Sequence, residues 1–511
     1  MFSAFIQIRR LLRIARIFAR HDALFPLERM GVAPVVVALA RMLSRRDVAG
    51  RPGERLAAAL EELGPSFIKL GQALSVRSDL VGEEIAHDLA KMQDNLPPFP
   101  AGNARTIIEA ELQAPIESLF ESFDDEPVAA ASIAQVHFAR TADDGDVAVK
   151  VLRPGIEARF RRDIDLFLWL ARMIERTQPA LRRLRPLEVV RMFEATVNVE
   201  LDLRLEAAAG SELRDNTEND PRFRVPKIDW VRTGRRVMTL ERIDGVRIDD
   251  IAALEAAGLV PRDILQRCAE SFFNQVFRDG FFHADIHPGN MFVARDGALC
   301  PVDFGIMGRL DIRTRNYLAD MLVGFLERDY KRVAEVHFEA GYVPARMSVG
   351  NFTQAIRSIG EPILGKPLHE ISLARLLAHL FQITETFEME AQPQLLLLQK
   401  TMLVAEGVGR KLDPTVNMWL LAKPLVENWV MANRGPDARI RDAVTDAVSN
   451  LERLPRLVGR AEAVVEALSG DYEFGRMTRG GGDRATRQYR TPNWVVVCLI
   501  AIIGVLLLRA M

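Results

Sequence analysis

The sequence predicts an α+β protein with a helical N-terminal extension and an apolar C-terminal tail. Three observations carry that expectation. Residues 30 to 115 follow helical patterns, broken near RPGER and at the turn NLPPFP. From Val128 the pattern changes to short alternating runs, VHFAR and VAVKVLR, separated by TADDGD, a hairpin signal. The chain closes on TPNWVVVCLIAIIGVLLLRAM, uncharged from Trp494 to Leu508. With 511 residues, two or three units are expected rather than one core.

The N-terminus, MFSAFIQIRRLLRIARIFARHDALF, has no acid before Asp22. At 100° per residue, Arg9, Arg13, Arg16 and Arg20 share one face, and Ile8, Leu11, Ile14, Ala15 and Phe18 the opposite one. The arginines interrupt any signal-peptide core. The segment reads as a basic amphipathic helix lying on an anionic membrane. The alternatives are a helix docked on the protein's own core and, ranked lower, an organelle transit peptide. Overall, 67 basic against 69 acidic residues give no support to nucleic-acid binding. Three cysteines without paired spacing argue against a disulfide framework or a zinc site.

Further along, helical patterns cover 156 to 180 and 187 to 215. VPKIDWVRTGRRVMTLERIDG reads as two strands around a Thr-Gly turn, and the chain is then mostly helical to about 430. A Gly/Arg-rich linker, 471 to 490, precedes the tail. The charge-free run would span about 22 Å as a helix, against a hydrocarbon core of roughly 30 Å. With its flanks from Thr491 to Met511 it makes a plausible single span. Arg484, Arg487 and Arg490 then place the bulk of the protein on the cytoplasmic side.

The chemistry is concentrated in HADIHPGN and VDFG. Asp285 and Asn290 are five apart, the spacing of the Asp and Asn in a kinase catalytic loop. There the aspartate orients the attacking hydroxyl and the asparagine holds a metal ion. Thirteen residues on, Asp303 opens DFG, whose carboxylate coordinates Mg²⁺ on nucleotide phosphates. Between them NMFVARDGALCPVDFG reads strand, Asp-Gly turn, strand. His283, Asp285 and His287 could instead ligate zinc, but no further ligand set stands nearby and DFG would be unexplained.

Upstream, Lys150 of VAVK matches a phosphate-contacting strand lysine, which needs a helix glutamate to hold it. VNVELDLRLEAAAG offers Glu200, Asp202 and Glu206; Asp202 and Glu206 are four apart and can share a helix face. Ahead of VAVK, where a phosphate loop normally carries glycines, AAASIAQVHFAR holds Ala129, Ala131, Ala134 and Val136. In LGPSFIKLGQALS, Lys69 and Gln72 share a helix face and Gly71 allows close backbone approach.

This set in this order, Lys69-Leu-Gly71-Gln72, the alanine loop, VAVK, Glu200-Leu-Asp202 and HADIHPGN…VDFG, resembles the UbiB (ABC1/ADCK) atypical-kinase family from about residue 20 to 430. The resemblance implies a protein-kinase-like bilobal fold. Its parts are a basic helix (1–25), an extension bearing the KxGQ motif (26–115), an N-lobe (116–240) and a C-lobe (241–430). A helical segment with its linker (431–490) and a transmembrane anchor (491–511) follow. ATP or ADP and Mg²⁺ are the implied ligands. Asp285, Lys150 and Glu206 would be catalytic, and Asn290 and Asp303 would hold the metal. Ala129, Ala130, Ala131, Ser132, Ala134, Val136, Lys150 and Glu241 would line the nucleotide site, and Lys69 and Gln72 would act with Glu200 and Asp202 as a regulatory set.

The implied activity is ATP hydrolysis rather than protein phosphorylation, in support of ubiquinone biosynthesis at the bacterial inner membrane. The implied partners are anionic lipid, a quinone-precursor lipid, the biosynthetic enzymes and a second copy of the chain. A pseudokinase scaffold and a small-molecule kinase are the alternatives. Some members carry two terminal spans where this chain shows one. A polyprenylphenol hydroxylase finds no support, since there is neither a G-x-G-x-x-G fingerprint nor an iron site.

Overall fold

The chain divides into units Met1–Met431 and Ala432–Met511. The computed structural model describes residues 2–26, 41, 48–75, 81–363 (without 90, 93–95, 144, 180, 181, 183 and 184), 379, 382–384, 386–389, 392–413, 415 and 424–431. The expected linker and tail, 432–511, lie outside the described residues. Among those described, no helix is long and apolar enough to cross a membrane.

Helix α1 (Phe2–Arg20) opens the extension, followed by α2 (Pro52–Leu63), α3 (Pro65–Ser75) and α4 (Glu83–Leu89). The apolar face of α1 is covered by protein: Leu11, Ile14, Ala15 and Phe18 are buried, the last three in one cluster with Leu56, Leu60 and Phe160. Arg10 donates to Arg162 O at 2.5 Å and pairs with Asp163, and Arg20 pairs with Glu62 at 2.8 Å. This corrects the expectation of a helix lying apolar face down on a membrane, because that face closes the core. Arg9, Arg13 and Arg16 stay exposed on the other side.

Helix α5 (Ala101–Leu112) covers one face of a six-stranded antiparallel sheet. Its strands are β1 (Ser122–Phe123), β2 (Ala129–Ala130), β3 (Ala134–Thr141), β4 (Gly145–Leu152), β5 (Ile228–Asp229) and β6 (Val237–Glu241), in the order β1-β3-β4-β6-β5 with β2 on β3. The expected hairpin is β3–β4, with Val136 opposite Lys150. Alternation sorts β4: Val147, Val149 and Val151 pack with Ile107 and Ile108, so Lys150 stands on the opposite face beside Val136.

Three helices follow: α6 (Ile156–Thr177), α7 (Pro186–Glu200) and α8 (Leu203–Asn216). The pattern read over 187 to 215 is therefore two helices. Asp202 is the N-cap of α8, accepting from Arg204 N at 3.2 Å, and Leu203 N donates to Arg235 O at 2.9 Å. Its carboxylate is taken up by the backbone and guanidinium of Arg204, so it does not act as a helix neighbour of Glu206.

The second half begins with β7 (Gly245–Arg247) and α9 (Pro261–Phe273), which continues as a π-helical turn, Asn274–Asp279. Two small sheets follow: β10 (Leu299–Pro301) on β9 (Met291–Ala294) on β7, and β11 (Met307–Arg309) on β8 (Phe281–His283). Helices α10 (Ile312–Leu326), α11 (Tyr330–Glu339), α12 (Val349–Ile363) and α13 (Pro393–Leu412) complete it.

Docking of α1 sets the expectation for stability. Phe18→Ala should lower stability by roughly 3–5 kcal/mol, read as a clear drop in the thermal midpoint. Arg13→Ala with Arg16→Ala should stay within about 0.5 kcal/mol. The reverse order would mean that the apolar face is not part of the core.

Candidate active site

Lys150 projects from the central strand β4, with 12% of its side chain exposed. Its Nζ lies 2.5 Å from Glu206 Oε1 and 3.6 Å from Asp303 Oδ2. Glu206 sits in the first turn of α8, where it also accepts from Phe304 N at 3.4 Å. Burial disfavours the ammonium, but Asp303 and Glu206 outweigh it and raise Lys150 above its ordinary value. Burial also raises Glu206, against the pull of Lys150. The directions oppose; with carboxylates on both sides of one ammonium, the ionised pair is the state that fits the geometry. Burial would raise Asp303 too, but Lys150, the Gly305 N–H (3.0 Å to Oδ1), Lys69 and His283 lower it to about 2.

Backbone pairing brings the metal-ligand candidates together. Val302 N donates to Asn290 O at 3.0 Å, and β9 and β10 form the expected hairpin around Asp296-Gly297. Ala284 N donates to Ile306 O at 3.0 Å, joining the start of the catalytic loop to the residue after DFG. Asn290 Nδ2 donates to Asp285 O and Oδ2 at 3.2 and 3.3 Å, which leaves its amide oxygen to a cation. An amide oxygen and one carboxylate beside phosphates suit Mg²⁺, which rarely uses an all-protein cage. The zinc alternative loses its geometry. His283 is buried with Nδ1 accepting from Asp285 N at 3.2 Å, while His287 is exposed and its Nδ1 accepts from Gly289 N at 3.2 Å.

From the extension, Lys69 Nζ reaches Glu200 Oε2 at 2.9 Å, both side chains 13% exposed. Gly71 serves packing within the extension instead, since a Cβ there would lie 2.6 Å from Met92 Sδ and 3.0 Å from Leu60 Cδ1. Gln72, one turn on in α3, is half-buried. Asp202, expected to act beside Glu200, is turned to Arg204, with Nη2 2.6 Å from Oδ2, and that contact lowers its pKa. Glu241 ends β6 and accepts from Lys227 N at 3.2 Å, a local role not foreseen for it.

The alanine loop is a hairpin with Ala129 opposite Val136 and Ala130 opposite Gln135, turning through Ala131, Ser132 and Ile133. Ala131 N donates to Ala134 O at 2.8 Å. Arg153 braces the turn, donating from Nε to Ala131 O at 2.9 Å and from its two terminal nitrogens to Pro97 O and Leu96 O at 2.9 and 3.2 Å. Gln135 holds both Phe99 N and Phe99 O, at 3.0 and 3.2 Å. The loop is thus fastened to the NLPPFP turn of the extension.

Four supports lay beyond sequence reasoning: Arg153, Gln135, Gln275 and Lys400. Gln275, in the π-helical turn, accepts from His283 N at 3.0 Å. Lys400 Nζ of α13 stands 2.9 Å from Asp285 Oδ1. Neither carries a local motif. The π-turn is invisible to a 3.6-residue period, and a lysine on a long helix reads as a solvated one.

Comparison with known proteins finds two family matches along the chain. Residues 91–337 match the ABC1 atypical kinase-like domain and residues 356–417 the UbiB helical domain. A protein of Marinobacter nauticus described as "Probable protein kinase UbiB" is 44% identical over 88% of this chain and 84% of its own length. One of Pseudomonas aeruginosa with the same description is 42% identical over 91% and 88%. The solved structure of the Rv3197–erythromycin complex from Mycobacterium tuberculosis superposes with a TM-score of 0.52 at 26% identity, covering 77% of this chain and 97% of that one.

Gly210 of α8 tests the construction. A Cβ there would come within 2.8 Å of the buried Phe304 ring. Gly210→Ala should keep the helix, whose propensity it improves by about 1 kcal/mol. It should nonetheless displace Phe304 and with it Asp303, costing about ten- to a hundredfold in turnover. Unchanged turnover would disconnect Phe304 from the site.

Proposed function

The chain belongs to the UbiB family of ABC1 atypical kinase-like proteins, and we propose that it is an ATP- and Mg²⁺-dependent enzyme that hydrolyses ATP in preference to phosphorylating protein, in support of ubiquinone biosynthesis. The observation that carries this reading is the Lys150 ammonium held between Glu206 at 2.5 Å and Asp303 at 3.6 Å. A cation so placed suits nucleotide phosphates, and Asn290 with Asp303 would hold the accompanying Mg²⁺. When bound, Mg²⁺ would neutralise charge developing on the phosphate oxygens.

In this reading the chain's own residues position and exclude. Asp285 orients the attacking O–H, and Ala129, Ala130, Ala131, Ser132, Ala134 and Val136 form the cover over the nucleotide. Preference for water over a protein hydroxyl is supported by two features. Lys69 pairs with Glu200 at 2.9 Å and acts electrostatically on Lys150 and Asp303, and in this reading α3 would occupy the side from which a peptide would approach. The alanine methyls keep the loop backbone from approaching phosphate as glycine would. We place the enzyme at a bacterial inner membrane, anchored by 491–511. Its N-terminal contact with anionic lipid would be electrostatic, through Arg9, Arg13 and Arg16, with a quinone precursor and its enzymes as partners.

Two outcomes are expected. Wild-type protein should show Mg²⁺-dependent ATPase activity on anionic liposomes containing a quinone-precursor mimic, with a thermal shift by MgADP. Asp303→Asn should lose that shift and lower turnover about a hundredfold or more; equal activity of the two would overturn the reading. Ala131→Gly should change nucleotide affinity and increase autophosphorylation. If it matches wild type in both assays, the alanines have no part in choosing between water and protein.

A further inference from the structure

Asp285 has two carboxylate oxygens, and each meets a donor. Asn290 Nδ2 donates to Oδ2 at 3.3 Å from within the same loop. Lys400 Nζ donates to Oδ1 at 2.9 Å from 115 residues away. The loop from Asp285 to Asn290 contains no lysine or arginine, so the positive charge on Asp285 is supplied from α13.

The packing of α13 fixes that lysine. Thr401 beside it is buried, and Leu398 lies in one cluster with Phe282 and Ala284, the latter preceding Asp285. Further along the helix, Val408 and Leu412 join the cluster that holds Phe304, the residue after Asp303. One rigid helix therefore touches both segments that bear the site's acids. The pair itself is about one-third exposed on each side, at 33% and 30%. An ion pair so exposed contributes little to folding.

On the reading above, on which this rests, we infer that Lys400 is a positioning residue of the phosphoryl-transfer site. It holds the Asp285 carboxylate toward the attacking oxygen. In the transfer the attacking oxygen bonds to the γ-phosphorus and the bond to the β–γ bridging oxygen breaks, that oxygen leaving with ADP. The proton of the attacking O–H passes to Asp285 and then to solvent. Lys400 keeps its own protons. A carboxylate offers about four acceptor sites, so two fixed donors still leave room for the O–H. The helical region at 356–417 thereby becomes part of the active site instead of an appendage to it.

The test uses the full chain with Lys400→Met, Lys400→Arg, Asp285→Asn and the Lys400→Met/Asp285→Asn double variant. Readouts are the MgADP thermal shift and the ATPase kcat and KM. Lys400→Met should keep the wild-type shift and KM while kcat falls about ten- to a hundredfold, as expected for a misplaced catalytic group. Lys400→Arg should recover most of that loss, and in the Asp285→Asn background Lys400→Met should cost almost nothing more. Wild-type kcat in Lys400→Met would overturn the inference. So would a parallel loss of the MgADP shift, failure of arginine to rescue, or full additivity with Asp285→Asn. Absence of any MgADP shift in the wild type would instead overturn the ATP-dependent reading, and this inference with it.

Discussion

Burial of the Lys150 ammonium between Glu206 and Asp303 constrains the arrangement of nearly everything around it. Taking charges out of water is costly, and breaking such a pair on one side leaves the other stranded. Three segments far apart in the chain must therefore arrive together. The sheet holds β4 at its centre, α8 starts where Asp202 caps it, and Gly210 lets Phe304 lie against the helix so that Asp303 falls beside the lysine.

The extension joins this arrangement through polar contacts that leave the site little freedom. Lys69 is paired with Glu200 at the end of α7, one break before the helix that carries Glu206. Arg153 and Gln135 tie the alanine turn to residues 96–99. Where glycines would give a phosphate loop freedom, this loop is braced from outside. Phosphoryl transfer depends on positioning more than on covalent chemistry by the protein. On the proposed function, the same parts would be set for water as the acceptor without any change in Asn290 or Asp303.

The C-terminal half adds a second kind of support. The π-helical turn after α9 presents Gln275 to His283, and α13 presents Lys400 to Asp285. Both act on the catalytic loop from outside its motif. The N-terminal helix shows the same economy: its apolar face completes the core, and its arginine face is left to solvent or an anionic surface.

The sequence by itself determined the main hairpins, β3–β4, β5–β6 and β9–β10, and the chemistry carried by short spacings. It did not mark the short strands β1, β2, β7, β8 and β11, most of which pair with distant segments. Alternation in VAVK set Lys150 on the face away from Val149, and the spacing of Asp285, Asn290 and Asp303 marked them as one candidate site because a loop and a hairpin fix local geometry. Tertiary structure decided whatever required partners from afar. Whether α1 rested on a membrane or on the core depended on Leu56, Leu60 and Phe160, which no periodicity within α1 reveals. Asp202 and Glu206 looked like helix neighbours until the bond from Leu203 N to Arg235 O broke the helix between Glu200 and Leu203. Lys400 became a site residue through packing alone, because a single lysine on an amphipathic helix has no pattern to mark it and acquires its role from the carboxylate the fold sets beside it.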